Sequence, residues 1–90
     1  MKLIRRNEYV AVPVRLLRDT ELSIRGKGVL SVLAAMPEAT ALTEYDLRSA
    51  CRMPMEDVSE VVHELERAGY FVREGGALYV FDAPQNGREL

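Results

Sequence analysis

Long apolar segments are missing from this 90-residue sequence, and cysteine and histidine each occur only once. No apolar run approaches the ~20 residues that a membrane-spanning helix needs. The opening residues MKLIRR lack the apolar core of a signal peptide. A single cysteine, Cys51, excludes an intrachain disulfide and favours a reducing compartment. We therefore expect a cytoplasmic protein that forms one domain.

Residue sets for catalysis or metal binding are equally sparse. One cysteine and one histidine cannot supply the three or four ligands of a zinc site. Cys51 and His63 as a nucleophile–base pair would lack a third, orienting group. Gly26-Lys27-Gly28 lacks the spaced glycines and the following Ser/Thr of a phosphate-binding loop, so Gly28 is better explained by close approach of a neighbouring helix. We predict no enzyme activity, no metal and no cofactor.

Charge is distributed unevenly along the chain. The net charge is −2, which argues mildly against a dedicated nucleic-acid binder. However, residues 1–27 hold seven basic groups against three acids, a net +4, and residues 28–90 hold five against eleven, a net −6. Attraction to phosphate is therefore expected in the first third of the chain, from Lys2, Arg5, Arg6, Arg15, Arg18, Arg25 and Lys27.

The first half of the sequence predicts a short strand and two helical segments. Residues 8–13 (EYVAVP) alternate like a strand, and residues 14–22 suit a short helical turn with Leu16 and Leu17 directed inward. Ser23 is a suitable N-cap for the next helix, which Pro37 would end. Spacings of three and four residues predict a buried face made of Ile24, Val29, Val32, Leu33 and Met36.

The second half predicts two more helices and a hairpin. Thr43 and Asp46 form a near capping box, and Leu42, Leu47 and Ala50 would face inward. Pro54 begins the last helix or its connection, and Gly69 would end that helix. Gly75-Gly76 is a strong two-residue hairpin signal between strands that contain Tyr70, Val72, Leu78 and Val80. The predicted apolar stripe of the last helix is Val58, Val61, Val62, Leu65 and Ala68.

Two helices joined by a tight turn and followed by a hairpin make a winged helix-turn-helix. We predict an α+β domain over residues 1–81, with a three-helix core, a C-terminal hairpin wing and a short N-terminal strand. Residues 82–90 are polar, with Pro84 and Gly87, and are expected to form a flexible tail.

Residues 9–74 also resemble a helix-turn-helix family of bacterial genomes, phages and mobile elements. The architecture resembles that of the N-terminal domains of replication initiators and replisome organisers. This resemblance implies DNA binding in replication or transcription control. Some members of the family mainly self-associate. The chain departs from the family at Gly26, where alanine is usual, and at residues 52–57. The resemblance is carried by Val12-Pro13, Leu16-Leu17, Asp19, Leu22-Ser23, Gly26-Lys27-Gly28, Pro37, Glu64-Leu65-Glu66, Ala68-Gly69-Tyr70 and Val72-Arg73.

Recognition of DNA by the last helix meets an electrostatic objection. The start of this helix would meet base edges through residues that include Ser59 and His63. Its acids would repel the phosphate backbone, although acids in a first turn are also explained by the helix dipole. The five acids are Glu56, Asp57, Glu60, Glu64 and Glu66.

Basic residues elsewhere are the better candidates for phosphate contact. Arg5 and Arg6 could track the minor groove or serve only as a solvated arm. Arg73 could reach DNA from the wing or be the polar half of a strand's alternation. The candidate nucleic-acid-binding residues are Arg5, Arg6, Arg15, Arg18, Lys27, Arg52, Ser59, His63 and Arg73.

Two functional hypotheses follow. The first is a dimeric winged helix-turn-helix protein that binds double-stranded DNA. The alternative is a winged helix that serves as a protein-interaction or oligomerisation module with little DNA affinity. Exposed Met53 and Met55 would suit such contacts, and Tyr9, Val10 and Val12 on an N-terminal strand could pair across a dimer.

Overall fold

The computed structural model describes residues 11–36 and 42–85, which form a small α+β domain. This part of the chain contains four helices and one two-stranded antiparallel hairpin. The elements are α1 (Val14–Leu17), α2 (Ile24–Ala34), α3 (Glu44–Cys51), α4 (Met55–Ala68), β1 (Phe71–Glu74) and β2 (Ala77–Val80).

The N-terminal strand is not found where it can be assessed. Residues 11–13 are not in a strand, and residues 8–10 lie outside the described residues. Pro13 instead directly precedes α1 with its φ at −57°. The helical segment is also shorter than predicted, since it ends at Leu17. Leu16 is buried but Leu17 is 47% exposed, because adjacent helical residues point about 100° apart and a single turn buries one of them.

The start of α2 is confirmed, whereas most of its predicted buried face is wrong. The Ser23 hydroxyl oxygen accepts a hydrogen bond from the Gly26 N–H at 3.0 Å. The buried residues are Gly26, Val29 and Leu30, with Leu33 packed beside them. Apolar residues surround this helix on all sides, so their spacing cannot select the buried face. The residues wrongly predicted as buried are Ile24 (83% exposed), Val32 (40%) and Met36 (38%).

Gly28 does not provide the close helix approach that we expected. A Cβ added at Gly28 would meet no atom within 4 Å, whereas one added at Gly26 would overlap Glu64 Oε2. The contact between α2 and α4 therefore depends on Gly26. Pro37, the predicted helix stop, lies outside the described residues, and the helix ends before it at Ala34.

The predicted features of α3 and α4 are largely confirmed. Thr43 and Asp46 form a complete capping box, with both hydrogen bonds present. Leu42 and Leu47 are buried, and Ala50 is half-buried. Gly69 ends α4 with a φ of 92°. The five predicted stripe residues of α4, Val58, Val61, Val62, Leu65 and Ala68, are all buried.

The hairpin turns at the predicted glycines, with φ angles of 59° at Gly75 and 82° at Gly76. Positive φ at both central residues is the geometry of a tight type I′ hairpin turn, which glycine adopts without steric cost. Leu42, between α2 and α3, exchanges backbone hydrogen bonds with Leu78 of β2 at 3.1 and 2.7 Å. The sequence did not predict this bridge, which adds a third chain segment to the hairpin.

A buried polar contact fastens the segment after α1 to the start of the hairpin. The Tyr70 hydroxyl donates to Asp19 Oδ2 at 2.7 Å, and the Glu21 N–H donates to Asp19 Oδ1 at 2.9 Å. Tyr70 and Asp19 are 0% and 1% exposed. Further along, the Gln85 N–H donates to the Gly69 carbonyl at 2.8 Å, within the segment predicted as a tail.

Candidate nucleic-acid interface

The exposed face of α4 is held in place by its buried stripe. Val58, Val61 and Leu65 are fully buried in the core. With 3.6 residues per turn, the residues on the opposite side of the helix lie on one outer face. That outer face consists of Glu56, Ser59, Glu60, His63 and Arg67, all of which are exposed.

Four of the five acids of α4 have partners among the described residues. Glu64 accepts from the Ser23 hydroxyl at 2.7 Å and from the Ser23 N–H at 3.1 Å. Arg25 lies 3.2 Å from Glu60 and 4.0 Å from Asp57. The fourth, Glu66, pairs with Arg73 on the hairpin. The acids therefore fasten α4 to its neighbours, and the net negative charge of α4 is partly neutralised there.

Arg73 is directed back toward the helices from β1. Its guanidinium donates to Glu66 at 2.9 Å and to Glu44 at 3.4 Å. The hydrogen bond to Glu66, the negative charge of Glu66 and the weaker contributions of Glu44 raise the pKa of Arg73 above its ordinary value. This candidate DNA contact therefore bridges α3, α4 and the hairpin.

Arg52 has an unusual backbone conformation in the turn between α3 and α4. It adopts the left-handed region with φ 53° and ψ 51°, and no other non-glycine residue of the described part has a positive φ. Its side chain is exposed, and its N–H donates to the Arg48 carbonyl. A side chain in this region costs on the order of 1 kcal/mol or more, which glycine would avoid.

Arg48 is a neighbouring cation that the sequence analysis did not select. It lies one helical turn before Arg52, and its guanidinium carbon is 5.8 Å from the centre of the exposed Tyr45 ring. The spacing of Tyr45 and Arg48 on the predicted helix could have indicated this contact, since residues three apart are neighbours on a helix.

The remaining candidates are distributed over several elements. Ser59 and His63 are one turn apart on the outer face of α4. Arg15 on α1 and Arg18 just after it are exposed, and Lys27 on α2 is half-buried. The two arginines at positions 5 and 6 lie outside the described residues.

A surface depression of about 490 Å³ lies between the segment leading into α2 and the later part of α4. Both positive and negative side chains line it, so it does not present the single sign of charge that would select an anionic or a cationic ligand. Its lining residues are Glu21, Arg25, Glu60, His63, Glu64, Arg67 and Ala68.

Cys51 is a half-buried thiol at the end of α3 that packs against the core. Burial raises the pKa of the Cys51 thiol. Because the thiolate is the nucleophilic form, this shift opposes the activation that a catalytic cysteine requires.

No described helix, in 11–36 or 42–85, is long and apolar enough to cross a membrane. These same ranges contain no group of three or more His, Cys, Asp or Glu side chains that could hold a metal ion. No family model matches the sequence, and no curated protein or solved structure is significantly similar to it.

Proposed function

We propose that this chain is a winged helix-turn-helix domain that binds double-stranded DNA through α4 and the α3–α4 turn. The order of elements supports this proposal. A short segment at Leu42 joins the hairpin from between α2 and α3, and α3, α4 and the hairpin follow in sequence. In such a domain, α4 would enter the major groove and the hairpin would be the wing.

The conformation of Arg52 is the observation that carries the proposal. A left-handed residue commonly ends a helix, but glycine is the usual residue there; an arginine kept at this position costs stability, and such costs are found at binding sites. In the helix-turn-helix arrangement, this turn lies beside the phosphate backbone that flanks the groove. An exposed arginine there is well suited to phosphate, because its guanidinium presents a fork of donors.

The charge partners of α4 remove part of the objection to DNA binding. With Arg25 beside Asp57 and Glu60, and Arg73 beside Glu66, these acids are partly neutralised. Phosphate attraction then comes from exposed arginines other than the acid-paired Arg25 and Arg73, together with Arg5 and Arg6 of the basic N-terminal region. Among the described residues these arginines are Arg15, Arg18, Arg48, Arg52 and Arg67. The resemblance to replication-associated domains favours a role in replication or transcription control.

The direct test is fluorescence anisotropy of a labelled mixed-sequence duplex at ~50 and ~200 mM salt. We expect micromolar binding at the lower salt that weakens steeply at the higher salt. Arg52→Gly is expected to bind more weakly on every sequence and to reduce the salt slope by about 1. Its denaturant midpoint should be unchanged or higher, because glycine suits the left-handed position.

Arg52→Lys is the matched control. Lysine keeps the charge and the strained backbone but loses the guanidinium fork, so its salt slope should remain that of the wild type. Absence of wild-type binding at ~50 mM salt, or equal affinity of Arg52→Gly and the wild type, would refute the proposal.

The alternative function is a winged helix used for protein contacts with little DNA affinity. It is favoured by apolar side chains that the domain leaves exposed, including Val72 and Tyr79, which face each other across β1 and β2. Failure of the wild type to bind DNA at low salt would make this the leading function.

A further inference from the structure

The face of α2 that points away from α4, here called the outward face, exposes apolar side chains that no described residue covers. Ile24 is 83% exposed, Val32 is 40% exposed, and Met36 just beyond the helix is 38% exposed. The side of α2 that packs against α4 carries Gly26, and helical geometry places Ile24 and Gly28 on roughly the opposite side. A helix that is apolar all round normally has both sides covered.

Gly28 lies on this outward face, and no contact within the described part of the chain requires a glycine there. Glycine in a helix costs up to about 1 kcal/mol relative to alanine. A Cβ at Gly28 would meet no atom of the chain within 4 Å and its φ is not left-handed. Neither crowding nor backbone conformation therefore explains this glycine, whereas close approach by another molecule does.

The last turn of α2 has no basic residue, although the helix dipole favours a cation at the carbonyl end. At the other end, the Glu64 carboxylate binds the first turn through Ser23, and Arg25 pairs with two acids of α4. Lys27 is the remaining cation of α2. A partner that brings a cation and an apolar surface to the last turn of α2 would therefore supply what this helix lacks.

We propose that the partner is a second copy of this chain, bound through an antiparallel α2–α2 contact across a two-fold axis. The first turn of each helix then lies beside the last turn of the other, so Lys27 faces the carbonyl end of the second copy. Because a two-fold interface is self-complementary, the same contact brings a lysine to the carbonyl end of both helices.

The side chains match in this antiparallel register. With the axis between positions 29 and 30, Ile24 lies over Ala35 of the second copy, so a large side chain meets a small one. Gly28 lies opposite Ser31 of the second copy, and both are small enough to let the helices approach closely. Such a contact between two short helices is smaller than a standard interface, which indicates a weak, concentration-dependent dimer.

Sedimentation velocity over a concentration series, without DNA, tests this inference separately from the proposed function. We expect a monomer–dimer equilibrium with a micromolar dissociation constant. Gly28→Leu, which fills the closest approach, should weaken self-association about tenfold or more. Gly28→Ala should also weaken it while raising the denaturant midpoint of the monomer, because alanine favours the helix. A folding defect cannot produce these opposite effects.

Ile24→Gln and Tyr45→Gln form a matched pair of apolar-to-polar changes at exposed positions. Tyr45 lies on α3 and is 67% exposed. Only Ile24→Gln should shift the equilibrium toward monomer. The inference is overturned by a wild type that stays monomeric up to about 1 mM, where even a millimolar complex is half formed. A dimer unaffected by Gly28→Leu and Ile24→Gln would overturn it equally.

Discussion

The carboxylate of Glu64 lies against Gly26, in the space that a side chain at position 26 would occupy. A Cβ on Gly26 would overlap Glu64 Oε2. The same carboxylate accepts from the Ser23 N–H and hydroxyl, while Ser23 Oγ accepts from the Gly26 N–H. An acid of α4 thereby binds the N-terminus of α2, where the helix dipole favours negative charge.

Alanine is expected to act differently at the two glycines of α2. At Gly28 it should stabilise the folded monomer by up to about 1 kcal/mol through helix propensity. At Gly26 the same gain is opposed by displacement of the Glu64 carboxylate, whose hydrogen bonds contribute about 1–2 kcal/mol. Urea unfolding should therefore find Gly26→Ala less stable than Gly28→Ala by about 1–2 kcal/mol.

The Glu64→Ala background provides the control for this difference. Without the carboxylate, the two alanine substitutions should have nearly equal effects, because the difference is expected to come from the coupling between Gly26 and the Glu64 carboxylate in contact with it. An undiminished difference in that background would show that the Glu64 contact is not its cause.

Removal of the buried Tyr70 hydroxyl should be strongly destabilising. Tyr70→Phe deletes the donor that lies 2.7 Å from Asp19 Oδ2, while Asp19 stays buried. Loss of a hydrogen bond to a buried carboxyl group costs about 1.5–3 kcal/mol. Denaturant unfolding measures this loss, and Tyr79→Phe, at a position 44% exposed, should change stability little. Equal effects of the two substitutions would contradict the role assigned to the buried contact.

Local signals in the sequence predicted the starts of α2 and α3, the end of α4 and the hairpin turn. Ser23, Thr43 and Gly69 each satisfy a backbone requirement through their own chemistry, which is independent of the rest of the fold. The stripe of α4 was equally predictable, because polar residues (Ser59, Glu60, His63 and Glu64) occupy the positions outside the stripe between Val58 and Leu65 and leave a single apolar face.

The features that could not be predicted depend on contacts between distant segments. Apolar residues on all sides of α2 made Ile24 and Leu30 equally plausible core residues, and only packing against α4 distinguishes them. The bridge from Leu42 to Leu78 joins residues separated by the whole of α3, α4 and β1. For the candidate site, Arg52 could be selected by its charge, whereas its left-handed backbone at the end of α3 could not be predicted from the residue type.

Cys51 should react slowly with alkylating reagents. Because burial raises the pKa of its thiol, less thiolate is present at a given pH than in the unfolded chain. The rate constant for iodoacetamide at pH ~8 should therefore be lower in the folded protein than in urea. A folded-state rate equal to that in urea would contradict the raised pKa.

The same shift has a consequence for stability. The unfolded thiol loses its proton at lower pH than the folded thiol, so the contribution of Cys51 to stability is complete below the unfolded pKa. It is lost as pH rises through the folded pKa. The stability difference between the wild type and Cys51→Ala should therefore shift against the wild type as pH is raised through this alkaline range, as measured by urea unfolding at each pH.

Glu66→Gln should strengthen DNA binding if the hairpin contributes to the interface. Glu66 holds the Arg73 guanidinium at 2.9 Å, so its neutralisation both removes a negative charge from α4 and weakens the tether on Arg73. Anisotropy titrations should give tighter binding and a salt slope that is steeper by up to about 1.

Glu74→Gln is the matched control, because it makes the same charge change on an exposed neighbour of Arg73 in β1. We expect a larger gain for Glu66→Gln; equal gains would mean that net charge alone governs binding and that Arg73 does not reach the DNA.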